Sequence, residues 1–169
     1  MVTFYNSEVQ SSEAQAQADA QALGLREKVL CFVHDGQKLL VFDHVDVSDA
    51  GVQVPAGSVE VGETPAQAAV RELWEESGLT LSYPHFLAAY RWEAQTPERF
   101  TRQVCYAFAF TAPDDLPHSW MQHADGHRFA FRWADLNRPK LDWEMDAALP
   151  HLHSFLAETI HSNRSLAHD

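Results

Sequence analysis

The sequence predicts an α/β domain built on a mixed, partly antiparallel sheet with a few helices packed against it. Three observations predict it. Apolar runs rich in β-branched and aromatic residues recur between residues 28 and 133, two of them joined by the tight turn signal Asp35-Gly36. A well-capped helical stretch over 65–77 interrupts that series, and an amphipathic stretch over 143–161 closes it. Strands alternating with only a few helices suit a sheet covered by helices, with neighbouring strands paired antiparallel in places.

The elements follow in order. Residues 1–26 form a separate N-terminal extension in composition: SSEAQAQADAQALG holds strong helix formers, a capping signal at Ser12 and Gln15, and a stop at Gly24. Its Ala/Gln-rich face has little to bury, so it reads as a docked helix or a loose arm. KVLCFVH and QKLLVFDH, either side of Asp35-Gly36, read as a strand hairpin, and GVQVP as a short strand ended by Pro55. HFLAAYRWEA and TRQVCYAFAFTA read as two longer strands, the second central, and HRFAFRW alternates as a strand does. The stretch from Pro113 to Gly126 shows no period and reads as a long surface loop. Pro150 belongs near the first turn of the last helix or at a kink, and 162–169 reads as a frayed tail. The main domain is thus expected over 27–161.

Composition narrows the function. The chain has 169 residues with 46% hydrophobic and 21% charged, an ordinary globular balance for one domain. Its 12 basic and 24 acidic side chains leave a net charge of -12, which opposes binding to duplex nucleic acid. An anionic small molecule remains compatible if divalent metal supplies the balancing charge. No run approaches the ~18 apolar residues a membrane span needs, and MVTFYNSEVQSSEAQ has neither the basic nor the apolar part of a secretory leader, so a cytoplasmic location is expected. Cys31 and Cys105 sit in strand-like runs as small buried hydrophobes, without a C-x-x-C pair, and a disulfide between them is a minor alternative.

The chemistry concentrates in PAGSVEVGETPAQAAVRELWEESGL, residues 55–79. Thr64 at the N-cap, Pro65 at the first helical position and Gln67 completing a capping box set the register of a helix ending at Gly78. At about 100° per residue, Ala66, Ala69, Val70 and Leu73 share an apolar face, and Glu72, Glu75 and Glu76 share another. Like charges at these spacings repel, and the helix dipole disfavours carboxylates in its second half. An acidic face is usually just solvated; here Gly57 and Gly62 in the preceding loop allow close backbone approach to a ligand, Glu63 stands at the helix mouth, and Arg71 flanks the acids. Bound hard cations such as Mg²⁺, which take carboxylate, carbonyl and water oxygens, would remove the conflict.

Gly57, five residues, Glu63, seven residues, Arg71-Glu72-Leu73, one residue, Glu75-Glu76, one residue, Gly78-Leu79: this pattern resembles a complete Nudix box. A chance match of its seven fixed and two apolar positions falls below about one in a million per chain. The resemblance implies a Nudix-like α/β/α sandwich and hydrolysis of the phosphoanhydride bond in a small nucleoside diphosphate derivative with Mg²⁺ or Mn²⁺. It further implies Glu75 and Glu76 as principal metal ligands, with Glu72 and the carbonyl of Ala56. Arg71 would hold a glutamate of the box through a bidentate pair, Glu63 would support or ligate, and Gly57 and Gly78 would serve backbone geometry. The general base is left open between Glu72 and Glu76, with Asp125 and Glu93 as distant alternatives. The Pro55-Ala56-Gly57 opening is similar to ADP-ribose-type members, but their downstream proline position is Gln95 here, and a tyrosine typical of dinucleoside-polyphosphate members is absent near it.

Outside the box, Arg91, Trp92, Arg99, Phe100 and Arg102 mix cations with aromatics that could stack a base and grip phosphate, or simply solvate a strand face. His118, His123 and His127 read as solvated loop histidines, and Trp120, Trp133 and Trp143 as core or interface anchors. Two other functions compete: a nucleotide or ADP-ribose sensor of the same fold without turnover, and a pyrophosphohydrolase of RNA 5′ ends, which the lack of a basic stripe disfavours. Oligomeric state is open, with a homodimer one alternative.

Overall fold

The computed structural model describes residues 3–5, 9–10 and 12–167. Among them, ten strands and three helices follow in the order β1 (Thr3–Tyr5), β2 (Val9–Gln10), α1 (Glu13–Leu23), β3 (Arg26–His34), β4 (Lys38–His44), β5 (Val52–Gln53), β6 (Ala56–Ser58), α2 (Pro65–Ser77), β7 (His85–Gln95), β8 (Phe100–Thr111), β9 (Ser119–Ala124), β10 (His127–Asp135) and α3 (Leu149–Leu166). Short 3-10 turns cover Ser48–Ala50 and Trp143–Asp146.

The sheet runs β1-β7-β8-β3-β4-β10-β9, with β2 added to β7, β5 to β4 and β6 to β3. Between strands one pairing is parallel, β3 with β8 from Arg26–Gln103 to His34–Thr111, and the others are antiparallel; a single parallel bridge also joins Val52 to Leu141. The register of β3 with β4 is confined to His34–Leu39, and the start of β3 pairs with β6 instead, Lys28 to Ser58 and Leu30 to Ala56. This divergence lays the loop ahead of α2 against the sheet.

Strand alternation divides the core in two. On one face Val29, Cys31, Val33, Leu40, Phe42, Val104, Tyr106 and Phe108 pack with Ala68, Ala69 and Leu73 of α2 and with Ala16 and Ala20 of α1. On the other, Leu30, Phe32, Val41, Tyr90, Cys105 and Ala107 pack with Met145, Ala148 and Leu152. Helices on both faces make an α/β/α sandwich. Cys31 and Cys105 are free and lie on opposite faces of the sheet, which removes the disulfide alternative.

Several elements differ from expectation. The loop expected over 113–126 contains β9, whose side chains alternate between exposed Ser119, Met121 and His123 and partly covered Trp120, Gln122 and Ala124. Its outward positions are polar or exposed, so apolar periodicity alone does not reveal it. The described parts of 1–26 are docked, through α1 in the core and through β1 and β2 on β7. Ser12 accepts from the Gln15 backbone N–H at 3.3 Å, while the Gln15 side chain donates to Asp19 instead of closing the box. The final amphipathic stretch breaks into a 3-10 turn and α3, with Pro150 in the helix's first turn, and α3 continues through the expected tail to Leu166. Residues 168 and 169 of that tail, and the Trp143 side chain, lie outside the described parts. Among the described residues no helix is long and apolar enough to cross a membrane.

Leu73 is fully buried between α2 and the sheet, with no polar atom to compensate its loss. Leu73→Ala is expected to lower unfolding free energy by about 2–4 kcal/mol, read from urea denaturation; a change under ~1 kcal/mol would show that α2 is not packed as described.

Candidate active site

The box begins where β6 leaves the sheet and ends at the C-terminus of α2. Thr64 accepts from the Gln67 backbone N–H at 3.2 Å and the Gln67 side chain accepts from the Thr64 N–H at 3.0 Å, the reciprocal cap its sequence predicts. At the other end Gly78 adopts φ 79°, where its lack of a Cβ lets the N–H turn back to the Trp74 carbonyl at 2.9 Å. β9 braces this end: Trp120 donates its indole N–H to the Ser77 carbonyl at 3.0 Å while its ring stacks on Phe131.

Arg71 organises the loop. Its Nε and Nη2 donate to the two oxygens of Glu63, each at 2.8 Å, and Nη2 also donates to the Ser58 carbonyl at 2.8 Å. Nη1 donates to Glu72 at 2.8 Å and to Glu75 at 3.2 Å. One planar guanidinium thus ties three carboxylates and a backbone carbonyl of the preceding strand. The fork holds the Glu63 carboxyl below its usual range, and the surrounding carboxylates raise the guanidinium further above its own.

Gly57 has a different reason from the loop flexibility its sequence suggests. A side chain there would occupy the space of the Glu72 carboxylate, so the absence of a Cβ lets that acid lie against the backbone of β6. Glu76 turns inward beside it and accepts from the Ala56 N–H at 3.3 Å. The trio expected to share one helix face therefore splits: Glu75 is exposed, and Glu72 and Glu76 are drawn under β6.

Sheltering two carboxylates together has an electrostatic consequence. Burial, then the charge of Glu72, pushes the Glu76 carboxyl up to about 8; Asp125 adds to the rise, while the Ala56 N–H and Lys28 oppose it. Burial also raises Glu72, against the pull of Arg71 and with further repulsion from Glu75 and Asp125. Asp125 reaches this position from the β9–β10 turn, where it takes φ 51° ahead of Gly126. Glu93 is bound instead to Arg102 at 3.1 Å, in β7 beside the edge strand β1 and two strands away from β3.

The expected substrate residues are separated by strand alternation. Trp92 and Arg99 line a cleft of about 230 Å³ on the α3 face, with Arg26, Lys28, Gln53, Thr101, Gln103, Asp142 and Met145. Arg91, next to Trp92, falls on the opposite face of β7, and Phe100 is half exposed on the opposite face from Thr101. Arg91 and Phe100 therefore do not join Trp92 and Arg99, contrary to the sequence grouping. Arg26, Lys28, Gln53 and Asp142 were not singled out by sequence, because they are remote along the chain and converge only through the pairing of β3 with β8, of β5 with β4, and of Val52 with the segment at Leu141 and Asp142. His118, His123 and His127 are exposed, and among the described residues no group of three His, Cys, Asp or Glu side chains converges as a ready metal cage.

A carboxyl whose pKa rises on folding holds its proton more tightly in the folded chain. Its contribution is greatest below the unfolded value near 4.5 and is lost as pH climbs toward 8. Glu76→Gln, which mimics the protonated acid, is expected to stabilise the metal-free protein by about 1–3 kcal/mol near pH 8 and by little near pH 4.5. Thermal melts with chelator at both pH values check this; a variant less stable than the parent at pH 8 would contradict the burial of Glu76.

Comparison with known proteins agrees with this geometry. A family model described as the NUDIX domain matches residues 24–153. The phosphatase NudJ of Escherichia coli K12 is 39% identical over 74 residues, 44% of this chain and 48% of that protein, so the chain spans about half the length of the curated relatives it matches. The solved E. coli dihydroneopterin triphosphate pyrophosphohydrolase superposes with a TM-score of 0.60 at 20% identity, covering 78% of this chain and 95% of the other. A Nudix hydrolase from Nitrosomonas europaea gives 0.59 at 19% identity, over 79% and 90%. At such identities the structural likeness speaks for the fold; with the family match and the complete box, the chain belongs to the Nudix family.

Proposed function

We propose that the chain is a divalent-metal-dependent pyrophosphohydrolase that cleaves the diphosphate linkage of a small nucleoside diphosphate derivative, giving a nucleoside monophosphate and a phosphorylated second product, or pyrophosphate from a nucleoside triphosphate. The observation that carries this reading is the sheltered pair Glu72–Glu76, with Asp125 facing it, in which the pKa of Glu76 rises to about 8. A pair so costly to ionise together suits a site completed by cations. The family match supports the reaction class, as do the names of relatives, a phosphatase in one case and a pyrophosphohydrolase in another.

The residues fit Mg²⁺ or Mn²⁺ in chemistry, since Glu72, Glu75, Glu76 and the Ala56 carbonyl offer hard oxygen donors. Glu75 is the adaptable member: its side chain is 46% exposed and held by a single 3.2 Å contact to Arg71, so it can turn toward Glu76 at little cost. A divalent ion bound there would neutralise phosphoryl charge and lower the pKa of water. The chain's own part is positional. Arg71 and Glu63 fix the loop against the helix, Gly57 lets Glu72 approach β6, and Gly78 ends the helix so that β9 can pack on it.

A carboxylate must take the proton of the attacking water, and Glu72, Glu76 and Asp125 are the groups clustered to do so. Glu93, tied to Arg102 near the far edge of the sheet, drops out. Trp92 and Arg99 provide the wall and charge for the nucleotide-like moiety. Two buried free cysteines suit a reducing cytoplasmic setting.

The test is a release assay for phosphate or nucleoside monophosphate over ADP-ribose, NADH, nucleotide sugars, coenzyme A, dinucleoside polyphosphates and (d)NTPs, with Mg²⁺ or Mn²⁺. Turnover of at least one compound is expected, with Glu75→Gln or Glu76→Gln reducing kcat by about 10²-fold or more while the variants stay folded. Inactivity across the panel would favour a sensor without turnover, and wild-type rates in the double variant would refute the ligand assignment.

A further inference from the structure

We infer that the cleft on the α3 face selects guanine and that Asp142 reads the base; this rests on the box being a pyrophosphohydrolase centre. One wall of the cleft is built to hold a carboxylate. Residues 51–53 and 141–142 are tied side by side, through the parallel bridge of Val52 with Leu141 and the Asp142 N–H donating to the Val52 carbonyl at 3.0 Å. Gly51 takes φ 70° and ψ -170°, a backbone region essentially closed to other residues. A side chain there would fall on the Asp142 carboxylate, so the glycine gives that acid a close seat against the loop. An acid that only solvates a surface needs no such seat.

Beside it, Gln53 donates an amide N–H to the Ala50 carbonyl at 3.0 Å, which fixes the amide and leaves its oxygen to accept. Asp142 and Gln53 thus bring acceptors to the cleft from the same tied segment. Trp92 offers a flat ring face. Met145 is buried and pinned where its sulfur accepts from the Val54 N–H at 3.4 Å, and it adds apolar surface. At about 230 Å³ the space is smaller than the roughly 300–1,000 Å³ of sites that enclose a whole ligand, so it takes one ring system.

The cleft lies next to the glutamates. Lys28 lines it, and the Lys28 charge also acts on Glu76, so a nucleotide with its diphosphate at the box can lay its base here. Guanine presents two adjacent N–H donors, at N1 and at the 2-amino group, with the O6 carbonyl beside them. A carboxylate accepts both donors in one plane, as it does from a guanidinium fork. The carbonyl needs a donor, and Arg26, Lys28 and Arg99 line the same space. Adenine reverses this edge and turns a lone-pair nitrogen toward the carboxylate, while uracil sets a carbonyl on each side of its single N–H. Hypoxanthine keeps N1–H and O6 and lacks only the 2-amino donor, so it isolates the contact assigned to Asp142.

GMP, IMP and AMP carry no diphosphate, so binding is read apart from hydrolysis. Calorimetric titration without added metal is expected to show GMP bound about tenfold or more tightly than IMP and AMP. Asp142→Asn, shown folded by its melt, replaces one acceptor by a donor and should bring GMP and IMP to similar affinity. In turnover, GTP should be preferred to ATP, or GDP-glucose to ADP-glucose. GMP bound no more tightly than IMP, or a GMP preference that survives in the variant, overturns the inference even if hydrolysis is found. The comparison of GMP with IMP in the unaltered protein decides the matter if the variant does not fold. An equal loss for all three nucleotides in Asp142→Asn would place the acid on the ribose and overturn the inference as well. A GMP preference without any hydrolysis sustains the cleft's role and removes the hydrolase reading instead.

Discussion

The guanidinium of Arg71 is the contact on which the site depends. It grips both oxygens of Glu63, the carbonyl of Ser58 and the near oxygen of Glu72, and so fastens a glycine-bearing loop to the helix that follows it. Lysine could not replace it, since a single ammonium cannot meet a carboxylate fork and a carbonyl in one plane. With the loop fixed, β6 lies over α2 and shuts Glu72 and Glu76 into a space partly screened from water. Burial first, and the charge of Glu72 second, keep a proton on Glu76, and the proposed cation uptake is what would displace it. Structure and chemistry meet at this point: the same packing that orders the box makes it electrostatically incomplete.

The sandwich gives this local arrangement its reach. α2 is anchored through Ala68, Ala69 and Leu73 to one face of the sheet, so its acidic residues are presented from a rigid element. β3 parts from β4 and takes β6 as partner, which carries the loop from the α2 face to the start of the cleft on the α3 face. Ser58 is the joint, facing Arg71 through its carbonyl and Arg26 through its hydroxyl. A substrate bound as proposed would lie across the strand end, its diphosphate at one side and its remaining moiety at the other.

Much of this was legible in the sequence, and what was not has physical causes. The helix over 65–77 was readable to the residue because Thr64, Pro65, Gln67 and Gly78 are local signals that act within one turn. The bidentate role of Arg71 followed from the family pattern. Helical periodicity places Glu76 on a surface, but it cannot show that β6 covers that surface. Asp125 lies about fifty residues beyond the box, and only the β9–β10 turn brings its charge to Glu72 and Glu76. β9 escaped because a short, half-exposed strand at a sheet edge has few apolar residues to betray its period. Grouping Arg91 with Trp92 ignored an available signal, since neighbours on a strand point to opposite faces.

The central claim is that the sheltered carboxylates exist to bind a divalent cation. It is tested most directly by titrating Mn²⁺ or Mg²⁺ into the metal-free protein near pH 7 in two buffers of different ionisation enthalpy, with and without nucleotide. With the Glu76 carboxyl pushed up to about 8, the account predicts saturable uptake accompanied by release of close to one proton. Absence of binding under both conditions, or binding that releases no proton, would contradict it.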